Sequence, residues 1–232
     1  MNTATDMSKY VVQIVTDRGN GLGVIAGEHV LTCAHFYDIA KIDRLLMQSF
    51  HIVMPAFNEE GDLWVQTLDS VLDFMVLGYQ PINQFIDDET GCALELAAPP
   101  IRPCRLVFPP GADTIEIPGY CFAPDARTRI DLDLRLHRHS HTISTKGDHI
   151  VPGCSGGPIF TRDHHLIGIM QGVTHLVGVT TPSDGHHIRI DLAASGWLGQ
   201  EYGGLDDLLL GHPGSSVATP ASSEYQDKES TP

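Results

Sequence analysis

Three short stretches of this sequence carry residue types that can attack a carbonyl, move a proton and hold the base that moves it. The most specific is PGCSGGPIF at 152–160, where Ser155 stands among Gly153, Gly156 and Gly157. Acyl transfer needs a nucleophilic hydroxyl beside backbone N–H groups aimed at a developing oxyanion. Glycines allow the backbone angles such a turn needs and let a substrate come close to the main chain. The N–H groups of Gly153 and Ser155 are therefore the expected oxyanion hole, with Pro158 ending the turn and Ile159-Phe160 starting a strand. The second stretch, GVIAGEHVLTCAHFYD at 23–38, leads through two strands and a glycine turn into Thr32-Cys33-Ala34-His35. A histidine just past a buried strand end can be held rigidly with its ring facing a cleft, and its ordinary pKa near about 6.5 suits a general base at neutral pH. The third, SVLDFMVLGY at 70–79, places Asp73 ahead of an alternating run. A carboxylate there can accept the ring N–H of the histidine and fix its tautomer, although Asp69 lies nearby.

These residues need a scaffold, and the surrounding pattern predicts one made of strands. Short β-branched or alternating runs recur at 10–15, 23–33, 49–55, 63–68, 73–79, 104–109, 114–122, 130–137, 165–173, 175–181 and 186–192, separated by Gly, Pro, Asn and Asp. Many short strands at even spacing imply an all-β barrel or sandwich. Helix signals are few: a turn or more within about 36–47, and a short C-terminal helix that Asp191 would cap and that would run through Trp197. Residues 88–103 read as a connector between two halves of one folded unit over 1–210. The Pro/Ser-rich stretch 211–232 reads as a disordered tail. No repeat of fixed period is present.

Composition narrows the partners. The chain has 232 residues, 42% of them hydrophobic, which is enough for a buried core. Its net charge of −15 opposes general nucleic-acid binding and adsorption on anionic membranes. The N-terminus lacks the basic start and long apolar run of a secretory signal, and apolar runs are too short to span a bilayer. The five cysteines are odd in number and show no metal-ligand spacing. A cytoplasmic or otherwise intracellular chain with reduced thiols is the expectation.

The three stretches together resemble the trypsin-like (chymotrypsin-fold) serine peptidase family. The histidine of that family's T-A-A-H motif corresponds to His35 in Thr32-Cys33-Ala34-His35. The aspartate of its D-[I/F]-A-[V/L]-L motif corresponds to Asp73 in Asp73-Phe74-Met75-Val76-Leu77, and the serine of G-x-S-G-G-P to Ser155. The chain order His, Asp, Ser agrees as well. The resemblance covers roughly 10–200 and implies two six-stranded antiparallel barrels, at about 10–87 and 104–200, with the active site between them. It implies a serine endopeptidase with His35, Asp73 and Ser155 as catalytic triad, acting on a protein or peptide substrate with no metal or organic cofactor. The strand at 166–172 would offer an edge for a peptide to pair with, through Gln171 to His175. His149 and Val151 would line the specificity pocket, with Met170, Gly172, Val173 and Gly185 as its walls.

The sequence departs from the family at Cys154, where digestive and clotting proteases carry the aspartate that switches on the zymogen. Activation by N-terminal cleavage is therefore not expected. Cys154 is also a rival nucleophile beside Ser155. Met170 occupies the place where viral polyprotein proteases put a glutamine-reading histidine, so glutamine specificity is not supported. His137, His139 and His141 alternate; on a strand they would share one face and could bind zinc, against the plainer reading of a solvated strand face or loop. Three alternatives stay open: a catalytically impaired protease-fold binding module, an esterase-like or autoprocessing enzyme of the same fold, and a viral or effector processing protease of restricted specificity.

Overall fold

A computed structural model of the chain describes residues 6–16, 19–27, 29–36, 42–47, 52–55, 63–79, 85–86, 93–94, 101, 103–145, 150–173, 185–193 and 206–209. The expected tail, the expected strand at 175–181 and most of the connector lie outside them. The first half contains β1 (Val11–Thr16), β2 (Gly19–Ala26), β3 (His29–Thr32), β4 (Ile42–Met47), β5 (Ile52–Pro55), β6 (Leu63–Asp69) and β7 (Phe74–Tyr79). Two short paired strands follow, β8 (Phe85–Ile86) and β9 (Ala93–Leu94), then β10 (Cys104–Val107). The second half contains β11 (Thr114–Phe122), β12 (Arg129–His137), β13 (Thr142–Thr145), β14 (Pro158–Thr161), β15 (Leu166–Val173) and β16 (Gly185–Arg189). A four-residue helix α1 (Ile190–Ala193) and β17 (Asp206–Leu209), parallel to β10, complete the described chain.

The all-β expectation holds, with one closed barrel of six strands in the order β11-β12-β13-β16-β15-β14. Among the described residues the first half is a seven-stranded sheet, ordered β5-β4-β1-β2-β3-β7-β6, rather than a six-stranded barrel. The extra strand is β4, in the segment that was expected to hold helix. Among the described residues the helical part there is one tight turn at Ala34–Phe36, and Ile42–Met47 pairs with β1 and β5 instead. The expected helix at 191–197 begins at Ile190 and is described only through Ala193.

Alternation drives the barrel. In β12, Leu132, Leu134 and Leu136 point inward, while Asp131, Asp133 and Arg135 face solvent. They pack with Ile143, Ile159, Ile167 and Met170 inside the barrel. A second cluster joins the halves: Leu22, Val24, Leu31 and Phe74 from the sheet meet Tyr120, Phe122, Phe160 and Ile169 from the barrel. Burial of each such side chain contributes about 1.5–3 kcal/mol, so this shared cluster resists separation of the halves.

One charged pair sits inside this apolar packing. Arg189 and Asp191 side chains are each 2% exposed and meet in two bonds, Nε to Oδ1 at 3.1 Å and Nη2 to Oδ2 at 2.8 Å. The remaining guanidinium nitrogen donates to the carbonyl of His137 at 2.6 Å, and the Asp191 carboxylate accepts Leu106 N–H at 3.2 Å. Asp191 therefore ties β10 to Arg189 of β16, Arg189 in turn holds the β12–β13 turn, and Asp191 does not serve as a helix cap. Asp191→Asn should cost about 3–5 kcal/mol, because it strands a buried cation. Glu116→Gln, which opens the exposed Arg135–Glu116 pair, should cost under about 1 kcal/mol. Urea midpoints of the two variants measure this, and equal small losses would contradict it.

Candidate active site

The sheet and the barrel bring the three stretches to their seam. His35 lies in the turn after β3, and β3 pairs with β7, which starts directly after Asp73. The Asp73 carboxylate accepts two bonds from the same residue: His35 N–H at 2.7 Å and His35 Nδ1 at 2.8 Å. A carboxylate only accepts, so the imidazole carries its proton on Nδ1 and presents a lone pair at Nε2. The His35 side chain is 44% exposed and that of Asp73 28%.

Asp73 reaches this position through an uncommon backbone. Its φ is 53°, left-handed for a non-glycine residue, which costs on the order of 1 kcal/mol. The turn before it is built by Asp69, whose Oδ1 accepts Val71 N–H and Leu72 N–H, both at 2.9 Å. The two aspartates thus divide the work: Asp69 folds the turn, and Asp73 meets the histidine.

The Ser155 loop is folded by its glycines. Gly153 has φ 96° and Gly156 φ 80°, backbone that glycine adopts without the Cβ penalty. Cys154 N–H donates to Val151 O at 3.2 Å and Gly156 N–H to Met170 O at 2.7 Å. Among the described residues, the intervening N–H groups of Gly153 and Ser155 meet no protein acceptor, as two donors awaiting an oxygen would. Ser155 O accepts Leu22 N–H at 2.7 Å, which ties the loop to β2. The Ser155 hydroxyl donates to Gln171 O at 3.0 Å.

The other expected residues fare unevenly. Gln171 lies at the site, with its side-chain amide turned onto the carbonyls of Leu72 and Asp73. Gly172 has open space where a side chain would stand, as a peptide-pairing edge requires. Val151 is exposed beside the loop. The Met170 side chain is 1% exposed and packs with the barrel cluster, while its main-chain oxygen faces the serine loop. Gly185 packs against Thr145 and His187, where an added Cβ would meet Thr145 Oγ1 at 2.5 Å. His149, His175 and the Val173 side chain lie outside the described residues. A cavity of about 360 Å³ on the barrel, between Glu116, Pro118, Asp133, Arg135 and Thr145, includes no expected site residue.

Thiols and metals can be placed against this geometry. Cys154 is buried, and burial raises its pKa, so it stays a covered thiol rather than a nucleophile. Cys33 Sγ, a His35 ring nitrogen and an Asp73 carboxylate oxygen lie within 4.8 Å of one another. Burial first, then the Asp73 charge, raise the Cys33 pKa well above its usual value. The S–H is donated to Met170 O at 2.9 Å, so it serves as a bond across the seam. His137, His139 and His141 do not converge, because β12 ends at His137 and the chain turns there.

The sequence reading missed His187. The strand HHIRI shows its apolar residues at Ile188 and Ile190, which makes His187 and Arg189 look outward-facing; both are buried. His187 Nδ1 accepts Gln171 N–H at 3.3 Å, so Nε2 carries the proton and meets Thr145 Oγ1 at 3.0 Å. Burial, with His186 adding to it, pushes the His187 pKa down from 6.5 to about 3. An unfolded chain takes up a proton near pH 6.5 that the folded chain refuses until about pH 3. Between those values this group lowers stability by about 1.4 kcal/mol per unit of falling pH. His187→Gln should flatten that slope in denaturant titrations from pH 6.5 to 3, and an unchanged slope would contradict the assignment.

No protein-family model matches the sequence, and no curated protein matches it. Among solved structures, the chain is similar to the MamO protease domain from Magnetospirillum magneticum in its apo form. Identity is 15% and the TM-score 0.52, over 82% of this chain and 97% of that one. With the closed barrel, the partner sheet and one short α-helix among the described residues, this likeness shows the trypsin-like fold.

Proposed function

We propose that this chain is a serine endopeptidase that cleaves peptide bonds through His35, Asp73 and Ser155. The observation that carries the reading is the pair of hydrogen bonds that the Asp73 carboxylate accepts from His35, at the ring and at the backbone. That pair fixes an imidazole in the tautomer able to accept a proton, and the Ser155 loop, joined to the same seam through Gln171, carries two N–H groups that meet no acceptor among the described residues.

The steps follow from these groups. The Ser155 hydroxyl leaves Gln171 O and passes its proton to His35 Nε2 as the oxygen attacks a peptide carbonyl. Asp73 accepts from Nδ1 and stabilises the imidazolium. Gly153 and Ser155 N–H hold the oxyanion, worth about 3–4 kcal/mol of barrier per donor. His35 returns the proton to the leaving amine, and water, deprotonated by the same ring, hydrolyses the acyl-enzyme. A protein or peptide substrate pairs with the backbone beyond Gln171, where Gly172 leaves room.

One observation favours a second reading, a protease-fold binding module. A hydroxyl has one proton, and Ser155 donates it to Gln171 O in this structure. A protein locked in that state would bind peptides without cleaving them. Labelling with a fluorophosphonate decides between the two. The peptidase reading expects one adduct on Ser155 by mass spectrometry, lost in Ser155→Ala, with Asp73→Asn slowing turnover about 10⁴-fold. A chain that binds peptides but takes no label is the binding module.

A further inference from the structure

Gln171 makes hydrogen bonds through its main-chain oxygen, its main-chain N–H and its side-chain amide nitrogen, and they meet at the seam. Its main-chain oxygen accepts the Ser155 hydroxyl at 3.0 Å, and its main-chain N–H donates to His187 at 3.3 Å. Its side-chain amide nitrogen donates to Leu72 O and, at 3.5 Å, to Asp73 O. Those two carbonyls belong to the peptide units on either side of the Asp73 α-carbon. A primary amide has two N–H donors, one for each. Gripping both peptide planes fixes the φ and ψ between them. These are the angles that hold Asp73 at φ 53°, in a conformation that persists only where its surroundings over-determine it. The direction of the carboxylate follows from those angles, and so does its pair of bonds to His35.

We propose that Gln171 is a positioning residue that sets the Asp73 carboxylate against His35 by clamping the two carbonyls flanking it. The proposal rests on the reading of His35, Asp73 and Ser155 as a triad, and it assigns Gln171 a task separate from substrate contact. The Leu72–Asp73 turn sits in the sheet and Gln171 in the barrel, so this clamp also transmits the placement of one half to the other. His187 supports it from behind. Kept neutral by burial, it holds the Gln171 N–H and with it the strand that carries the clamp.

Gln171→Glu tests this with a nearly isosteric side chain that has no donor and whose charge repels both carbonyls. Gln171→Ala serves as a second variant that removes the clamp without adding charge. Two readouts separate the claims. The first is hydrolysis of a peptide substrate: the clamp predicts kcat lower by about 10²-fold with KM within about twofold, because misplacing a catalytic group by about 1 Å has that effect. The second is the low-field proton resonance of the short His35 Nδ1 to Asp73 Oδ2 bond, assigned by its loss in Asp73→Asn. It should vanish or broaden in both Gln171 variants while far-UV circular dichroism stays that of the wild type. A persistent resonance and unchanged kcat in a folded Gln171 variant would overturn the proposal. If the wild type neither turns over substrate nor takes a fluorophosphonate, the peptidase reading fails, and the resonance alone then decides whether Gln171 positions Asp73.

Discussion

The constraint on which the rest of this structure depends is the seam between sheet and barrel, sewn at two consecutive residues of β15. Met170 O accepts Cys33 S–H from the sheet and Gly156 N–H from the serine loop. Gln171 accepts the Ser155 hydroxyl and reaches back to the turn that carries Asp73. One extended dipeptide thus touches the stretches that hold His35, Asp73 and Ser155. Alternation makes this economical: the Met170 side chain goes into the barrel core, and the Gln171 side chain goes toward the sheet. The apolar cluster shared by the halves supplies the cohesion, and these few polar bonds supply the register.

Buried polar groups mark where the barrel trades ease of folding for a defined geometry. Arg189–Asp191 and Thr145–His187–Gln171 lie on or beside β16, the strand that closes the barrel against β13 and β15. Each group is satisfied by named partners, which is the condition under which such groups are tolerated inside a protein. The first network anchors β10 and the β12–β13 turn. The second reaches Gln171, whose main-chain oxygen accepts the Ser155 hydroxyl. A single strand therefore links the integrity of the barrel to the placement of the site.

The core of the site was legible in the sequence because its parts are local. The glycine frame of Ser155, the histidine after a buried strand and the aspartate before another each sit in a few consecutive residues, and the structure brings His35 and Asp73 into contact. β12 was equally plain, since its leucines alternate with charges. What the sequence hid is long-range. His187 and Arg189 look like a solvated face until their partners, Thr145 and Asp191, are known. The burial of the Met170 side chain in the barrel cluster likewise depends on partners distant in sequence, such as Ile143 and Ile159. β4 was taken for helix because its strand character depends on pairing with β1 and β5.

The most direct test of the account is a crystal structure of the chain after reaction with a peptide fluorophosphonate or boronate. The expected result is a covalent bond to Ser155 Oγ, with the Gln171 O contact broken, a reagent oxygen about 2.7–3.1 Å from the N–H groups of Gly153 and Ser155, and the His35–Asp73 bonds unchanged. Crystals that show Ser155 unmodified and still donating to Gln171 O, with peptide bound alongside, would contradict it.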